Sequence, residues 1–237
     1  MISDVHVTGA EDPVQAALVA HLDGLEADAL WILGDLFHSA WAFEGGLSPG
    51  LEATEGALRR LRARGIRIGF VPGNHDFALA GWFSRELGAE VRPAHVQAFD
   101  GVRVLLAHGD EADASLGYAA TRLLLRGRPF DALIRGLGPA RGGRALASLA
   151  GASRDRPAPR EALLRAQAEW AERRLSEEGA SFVVLGHSHA FGETALPHGR
   201  LFNLGDWRDG PRWLEIDGGV PRLCAAPAQA STRESVS

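Results

Sequence analysis

Ile66-Arg67-Ile68-Gly69-Phe70-Val71-Pro72-Gly73-Asn74-His75-Asp76 is the stretch from which the rest of the chain is read. Its apolar half, bounded by Gly65 and by Pro72-Gly73, has the length and character of a buried strand that stops at a sharp turn. The turn then presents an amide, an imidazole and a carboxylate in succession. Such a trio can ligate a cation, face a reacting group and orient the imidazole between them. Polar turns after strands are common, so Gly73-Asn74-His75-Asp76 carries little alone.

Its weight comes from repetition. Ser3-Asp4-Val5-His6 opens the chain, Gly34-Asp35 follows the apolar run 29–33, His108-Gly109-Asp110 follows 102–107, and Gly186-His187-Ser188-His189 follows 181–185. In an open α/β sheet, ligands sit at the carboxyl ends of the strands. Five polar strand ends in order therefore predict an α/β fold with one site gathered along a sheet edge.

The intervening segments fit that frame. Asp12-Pro13 reads as an N-cap and first helical residue, with Val14, Leu18, Leu22 and Leu25 at helical spacing. Residues 49–64 read as a second amphipathic helix with Leu51, Leu58 and Leu61 inward, and 81–87 as a short one. Residues 36–50 are expected to be a loop, and 96–99 to pair with 102–107 through Asp100-Gly101. Segments 191–196, 200–204, 212–216 and 220–224 are expected as later strands. Met1 and Ile2 are all that precede Ser3, so either the first strand is truncated or the start lies upstream, and a truncated strand is expected to leave Asp4 and His6 with almost no anchor. His21, His95 and His198 lack a strand-end context and are expected at the surface or in loops.

With 237 residues, the chain can bury a full core. The simplest division is one domain over 1–226 with an insertion at about 111–179, followed by a disordered tail over 227–237. A hydrophobic content of 46% and a charged content of 23% are those of an ordinary globular protein, and a net charge of -5 gives no reason to expect a nucleic-acid partner. The single cysteine, Cys224, excludes an internal disulfide. There is no long apolar run and no basic-then-apolar leader, so a cytoplasmic location is expected.

The insertion has its own character. Leu116, Leu123, Leu124, Leu125, Phe130, Leu133, Ile134 and Leu137 suggest two short helices broken at Gly127 and Pro129, and 160–178 reads as a longer helix. Every basic side chain in the protein is arginine, which codon bias explains, so the arginine count alone means nothing. Between Arg122 and Arg174, however, 12 arginines face 5 acids in a chain that is acidic overall. A basic, leucine-rich insertion could close over an anionic, greasy substrate or rest on a membrane surface. A helical hairpin with a solvated basic face reads the same charges as well.

The donors define the chemistry. Asp4, His6, Asp35, Asn74, His108, His187 and His189 supply seven nitrogen or oxygen donors and no thiolate. That set suits two divalent cations sharing a carboxylate, with Mn²⁺, Fe and Zn²⁺ all compatible. Two such cations, roughly 3.5–4 Å apart, lower the pKa of a shared water and hold both oxygens of an in-line displacement at phosphorus. His75 is then free to bond phosphoryl oxygens or protonate the leaving group, with Asp76 fixing its tautomer.

The order Asp-x-His, Gly-Asp, Gly-Asn-His-Asp, His-Gly-Asp, Gly-His-x-His, over about residues 3–206, resembles the calcineurin-like metallophosphoesterase superfamily. Within it, three features are similar to the UDP-2,3-diacylglucosamine pyrophosphatases of lipid A synthesis. They are Ile32-Leu33-Gly34-Asp35-Leu36-Phe37, then His108-Gly109-Asp110 followed by Gly117-Tyr118 and Arg122, and finally Asn203-Leu204-Gly205-Asp206-Trp207. The resemblance implies a four-layer α-β-β-α sandwich with a helical cap inserted after the His-Gly-Asp block. It also implies Mn²⁺ dependence and hydrolysis of UDP-2,3-diacylglucosamine to UMP and 2,3-diacylglucosamine 1-phosphate, peripherally at the inner membrane face. The chain departs from that subfamily at His38, where Asp is usual, at His75, where many members carry Arg, and in having no cap lysine. Arg122, Ser153, Arg154, Arg156 and Arg160 are the candidates for substrate contacts. Another phosphodiester, a phosphomonoester or a phosphoprotein is the alternative substrate, and a non-catalytic scaffold of the same fold is the alternative from another class.

Overall fold

The computed structural model describes residues 1–43, 46–113 and 160–227, together with 130, 132–134, 136–138, 141–142 and 145. Arg122, Ser153, Arg154 and Arg156, the expected breaks at Gly127 and Pro129, most of the expected cap and the tail beyond 227 lie outside the described residues.

In chain order the elements begin with α1 (Pro13–Asp23), β1 (Ala29–Ile32), the short pair β2 (Ala42–Phe43) and β3 (Gly46–Leu47), α2 (Glu52–Ala63) and β4 (Arg67–Phe70). There follow α3 (Ala80–Leu87), β5 (Glu90–Val91), β6 (His95–Phe99), β7 (Val102–Leu106) and α4 (Arg160–Glu178). The chain closes with β8 (Phe182–Leu185), β9 (Phe191–Leu196), β10 (Gly199–Leu204), β11 (Arg212–Asp217) and β12 (Val220–Ala225). Asp12 caps α1 by accepting from the Val14 amide at 2.9 Å, and Pro13 supplies a first helical residue that needs no N–H partner. Asp100 and Gly101 both take positive φ, 49° and 81°, as the two-residue turn between β6 and β7 requires. The β2–β3 pair and β5 were not foreseen, because two residues show no period.

A three-stranded sheet has the order β1-β4-β5, all parallel, and a five-stranded sheet the order β6-β7-β8-β10-β9, with β7-β8 and β8-β10 parallel; β11-β12 and β2-β3 are separate antiparallel pairs. The central strands β1, β4, β7, β8 and β10 are buried on both faces over most of their length, and their successive residues divide between two cores. Trp31, Val104, Leu106, Phe182, Val184, Phe202 and Leu204 meet between the sheets. Leu30, Ile32, Ile68 and Phe70 pack outward with Leu18, Leu58, Leu61 and Phe83 of α1, α2 and α3. On the far side Leu105, Val183, Leu185 and Leu201 pack on Trp170, Ala171 and Leu175 of α4. The result is the four-layer α-β-β-α sandwich. Gly69 belongs to this packing: a Cβ there would lie 2.3 Å from the Trp31 ring.

The opening segment is anchored, contrary to expectation. Ile2, Val5 and Val7 are buried, worth roughly 1.5–3 kcal/mol each. Ile2 bonds Trp31 and Leu33 through its backbone, and Leu214 of β11 exchanges backbone bonds with Met1 from the other side. Tertiary pairing on both sides holds the segment in place. His21 and His95 also differ from expectation: His21 lies against Trp207 and Trp213, and His95 sits in β6 beside Trp31.

Candidate metal centre

Parallel β1, β4, β7 and β8 deliver Asp35, Asn74, His108 and His187 to one edge, and the opening segment adds Asp4 and His6. Among the described non-glycine residues six have a positive φ, and five are expected ligands: Asp4 (50°), His6 (57°), Asp35 (54°), His187 (66°) and His189 (55°). Such backbone costs of order 1–3 kcal/mol per residue and persists only where the surroundings impose it. At Asp35, His187 and His189 it falls in the turns just beyond β1 and β8, and at Asp4 and His6 it interrupts the opening segment between the bridges of Ile2 and Val7. The glycines preceding the ligands have a steric cause. A Cβ on Gly34 would lie 2.6 Å from both the Gly73 Cα and the His108 Nδ1, and one on Gly186 would lie 2.3 Å from Asp4 Oδ2.

The donors fall into groups that share members. Asp4, His6 and His189 converge on one point, and Asp35, His108 and His187 on another. Asp35 Oδ2 stands between them, 3.9 Å from His6 Nε2 and 3.4 Å from His108 Nε2, while Oδ1 accepts the His75 amide at 2.9 Å. Asn74 Oδ1 lies 3.0 Å from His108 Nε2, which places it with the second group. His75 also comes within ligand reach of His6 and Asp35.

Outer contacts set the tautomers. His108 Nδ1 donates to the Leu33 carbonyl at 2.8 Å, His75 Nδ1 to the His38 carbonyl at 2.7 Å, and His189 Nδ1 to Asp206 Oδ2 at 3.2 Å. In the neutral rings Nε2 then carries a lone pair. The Nε2 atoms of His6 and His189 are 3.1 Å apart, and His6 Nδ1 is buried without a hydrogen-bond partner among the described residues. Lone pairs brought this close need a shared proton or a cation, and the donor set of imidazole, carboxylate and amide fits divalent metal ions.

The electrostatics point the same way. Burial pushes His6 down to about 3 and His187 down to about 4, which keeps both neutral as ligands must be. Burial also pushes Asp4 up to about 6. Burial alone would raise Asp35, yet the imidazoles of His108, His75 and His6 hold it well below the usual carboxylate range. Burial likewise opposes charge on His108, but Asp35 and Asp4 raise it well above the usual imidazole range.

Asp76 requires a correction. Its carboxylate does not orient His75; it accepts the Leu36 amide at 2.8 Å and the Gly73 amide at 3.0 Å, and burial raises its pKa to about 7. It ties the turn after β4 to the turn after β1. The His38 carbonyl takes the role that Asp76 was expected to fill.

Other contributors were missed. Asp206, two residues beyond β10, is read in the sequence only as part of the resemblance over 203–207 and with no role, although it repeats the Gly-Asp pattern of Gly34-Asp35 as a sixth polar strand end. Gln167 of α4 is fully buried, donates to the Gly186 carbonyl at 3.0 Å and to the Gly109 carbonyl at 3.4 Å, and accepts from Asn203 at 3.0 Å. It joins the two histidine-bearing turns, and nothing in the helix period announces it. Arg160, the one expected substrate contact among the described residues, donates to the His189 carbonyl at 3.2 Å. It lines a cleft of about 540 Å³ with His189, Phe191, Asp206, Arg208 and Arg212.

Several known proteins are similar to this chain. The calcineurin-like phosphoesterase pattern matches residues 1–191. UDP-2,3-diacylglucosamine hydrolase of Ectopseudomonas mendocina (strain ymp) is 31% identical over 92% of this chain and 93% of its own length. The protein of the same name from Aeromonas salmonicida (strain A449) is 30% identical over 94% and 91%. Among solved structures, vacuolar protein sorting 29 from Cryptosporidium parvum covers 95% of this chain and 94% of its own, at 12% identity and a TM-score of 0.45, a likeness too distant to bear on the site.

Proposed function

The chain belongs to the calcineurin-like phosphoesterase family, and from that premise we propose that it hydrolyses the pyrophosphate of UDP-2,3-diacylglucosamine to UMP and 2,3-diacylglucosamine 1-phosphate. It is a metal-dependent hydrolase that uses divalent cations; Mn²⁺ is the proposed ion, with Fe or Zn²⁺ as alternatives. The observation that carries the phosphoester chemistry is the position of Asp35 Oδ2 between the Asp4–His6–His189 and Asp35–His108–His187 groups. The choice of substrate is supported by the two relatives that bear its name.

Asp4, His6 and His189 would hold one cation and Asn74, His108 and His187 the other, with Asp35 shared. When bound, the ions supply an activated water and neutralise charge on the phosphoryl oxygens. The chain provides the rest. Asp206 and the Leu33 carbonyl fix the ring orientations of His189 and His108. His75, with Nδ1 donating to the His38 carbonyl, would in its imidazolium form donate Nε2–H to a phosphoryl oxygen or pass that proton to the leaving oxygen. No helix among the described residues is long and apolar enough to cross a membrane. Contact with an inner-membrane surface through the arginine-rich insertion is part of the proposal and is supported by its charge.

The test is UMP release from UDP-2,3-diacylglucosamine in detergent with Mn²⁺, beside a soluble nucleotide diester. Rapid release from the lipid nucleotide is expected. Turnover of the diester alone would retain the hydrolase and discard this substrate.

A further inference from the structure

The donor cluster has two unlike flanks. His6 lies in the middle, its ring centroid 5.2 Å from that of His75 and 5.0 Å from that of His189. Beyond His75 the surroundings turn apolar: its ring stacks on His38 with centroids 5.2 Å apart, and Phe77 packs with Trp41, Phe130 and Ile134. Beyond His189 the surroundings turn polar and charged, in the cleft where Arg160, Arg208 and Arg212 stand with the carboxylates of Asp206 and Asp209, leaving one arginine in excess. A volume of about 540 Å³ lies within the usual range for small-molecule sites, roughly 300–1,000 Å³.

The charges of the cleft are unequally engaged. Arg208 is paired with Asp206, and Arg212 with Asp209 at 3.3 Å. Arg160 has a neutral acceptor, the His189 carbonyl. One guanidinium on the wall is therefore balanced by no carboxylate among the described residues of the cleft. Phe191, at the mouth, is 36% exposed, with the Arg212 guanidinium 5.2 Å from its ring centroid. A planar base can stack on an aromatic face or on a guanidinium plane, and arginine forks bind phosphate and ring carbonyl oxygens.

We propose that the cleft formed by Arg160, Arg208, Arg212 and Phe191 beside His189 binds the nucleoside monophosphate half of the substrate. This rests on the lipid-nucleotide reading for the identity of the base. The argument is one of polarity. A substrate with a diacyl sugar at one end of its pyrophosphate and a charged nucleotide at the other crosses the cluster in the direction that sends its greasy end toward Trp41, Phe77 and Phe130. The anionic nucleotide then falls between the arginines.

The experiment is calorimetric titration of the Mn²⁺-loaded full chain with UMP, comparing wild type with Arg160→Gln and Phe191→Ser, and with Arg92→Gln on the distant β5 edge as a control. Each cleft substitution is expected to weaken UMP about tenfold, the size of one charge-assisted or stacking contact, with Mn²⁺ affinity and melting temperature unchanged. Arg92→Gln should bind UMP as wild type does. UMP affinity unaltered by both cleft substitutions, or no UMP binding to wild type, would overturn the assignment. The two readings fail separately. Release of UMP from the lipid nucleotide with unaltered UMP affinity in the variants keeps the substrate and removes the cleft. Arginine-dependent UMP binding without turnover of the lipid nucleotide keeps the cleft and removes the substrate.

Discussion

The Nε2 atoms of His6 and His189, 183 positions apart in the chain, stand 3.1 Å from each other beside Asp4. With His189 Nδ1 committed to Asp206, the two rings hold between them a point that suits a proton or a cation.

Metal should therefore stabilise the fold itself. A ligand at a hundredfold excess over its Kd contributes about 2.7 kcal/mol, roughly 5–10 °C in melting temperature for a chain of this size. Calorimetry with Mn²⁺ and then with a chelator should show a shift of that order. Asp35→Ala should lose the shift together with Mn²⁺-dependent turnover, and full activity in that variant would refute the assignment of Asp35.

Asp206→Asn tests the orientation of His189. The amide preserves size but removes the charge that His189 and Arg208 share. Outer carboxylates of this kind are worth about 10- to 100-fold in metal affinity. Titration with Mn²⁺ should show one of two sites weakened by that factor; two unaltered sites would leave Asp206 as a surface ion pair only.

His75→Ala separates proton transfer from ligation. A proton donor of this type contributes about 10²–10⁴ in rate. The expected result is a kcat lower by that factor with metal content unchanged. Loss of one metal equivalent would instead make His75 a ligand, which its proximity to His6 and Asp35 allows.

The pH dependence of the metal-free protein follows from His6. Burial lowers it from 6.5 to about 3. Between those values the unfolded chain binds the proton and the folded chain does not, so stability rises with pH across the window and is lost on acidification. Asp4 acts in the opposite sense: burial raises it from 3.8 to about 6, and its contribution disappears as pH rises through 6. Comparison with His6→Ala isolates the first effect. In chelator, the stability difference between wild type and variant should shrink by about 2 kcal/mol from pH 7 to pH 5 in urea denaturation. A difference independent of pH would mean that His6 is not buried neutral.

Much of this site is legible in the sequence, because its ligands stand where apolar runs stop. Runs such as 29–33 and 181–185 announce buried strands, and a polar residue immediately beyond such a run must lie at a sheet edge. Asp206 obeys the same rule. The partners of Asp76 do not: a carboxylate next to a histidine in sequence suggests a pair, yet it turns instead to the Leu36 and Gly73 amides. Gln167, within a helix read by its leucines, is likewise invisible until α4 is laid across the turns after β7 and β8.

The sequence by itself determined the longer strands, their ends and therefore the seven candidate donors, since each depends on local periodicity and on the residue that breaks it. Tertiary structure alone decided which donors share a point, that His38 rather than Asp76 holds His75, and that the cluster has an apolar and an arginine-lined flank. Those relationships join residues as distant as His6 and His189, and such distances are set by the packing of the two sheets, which no local pattern records.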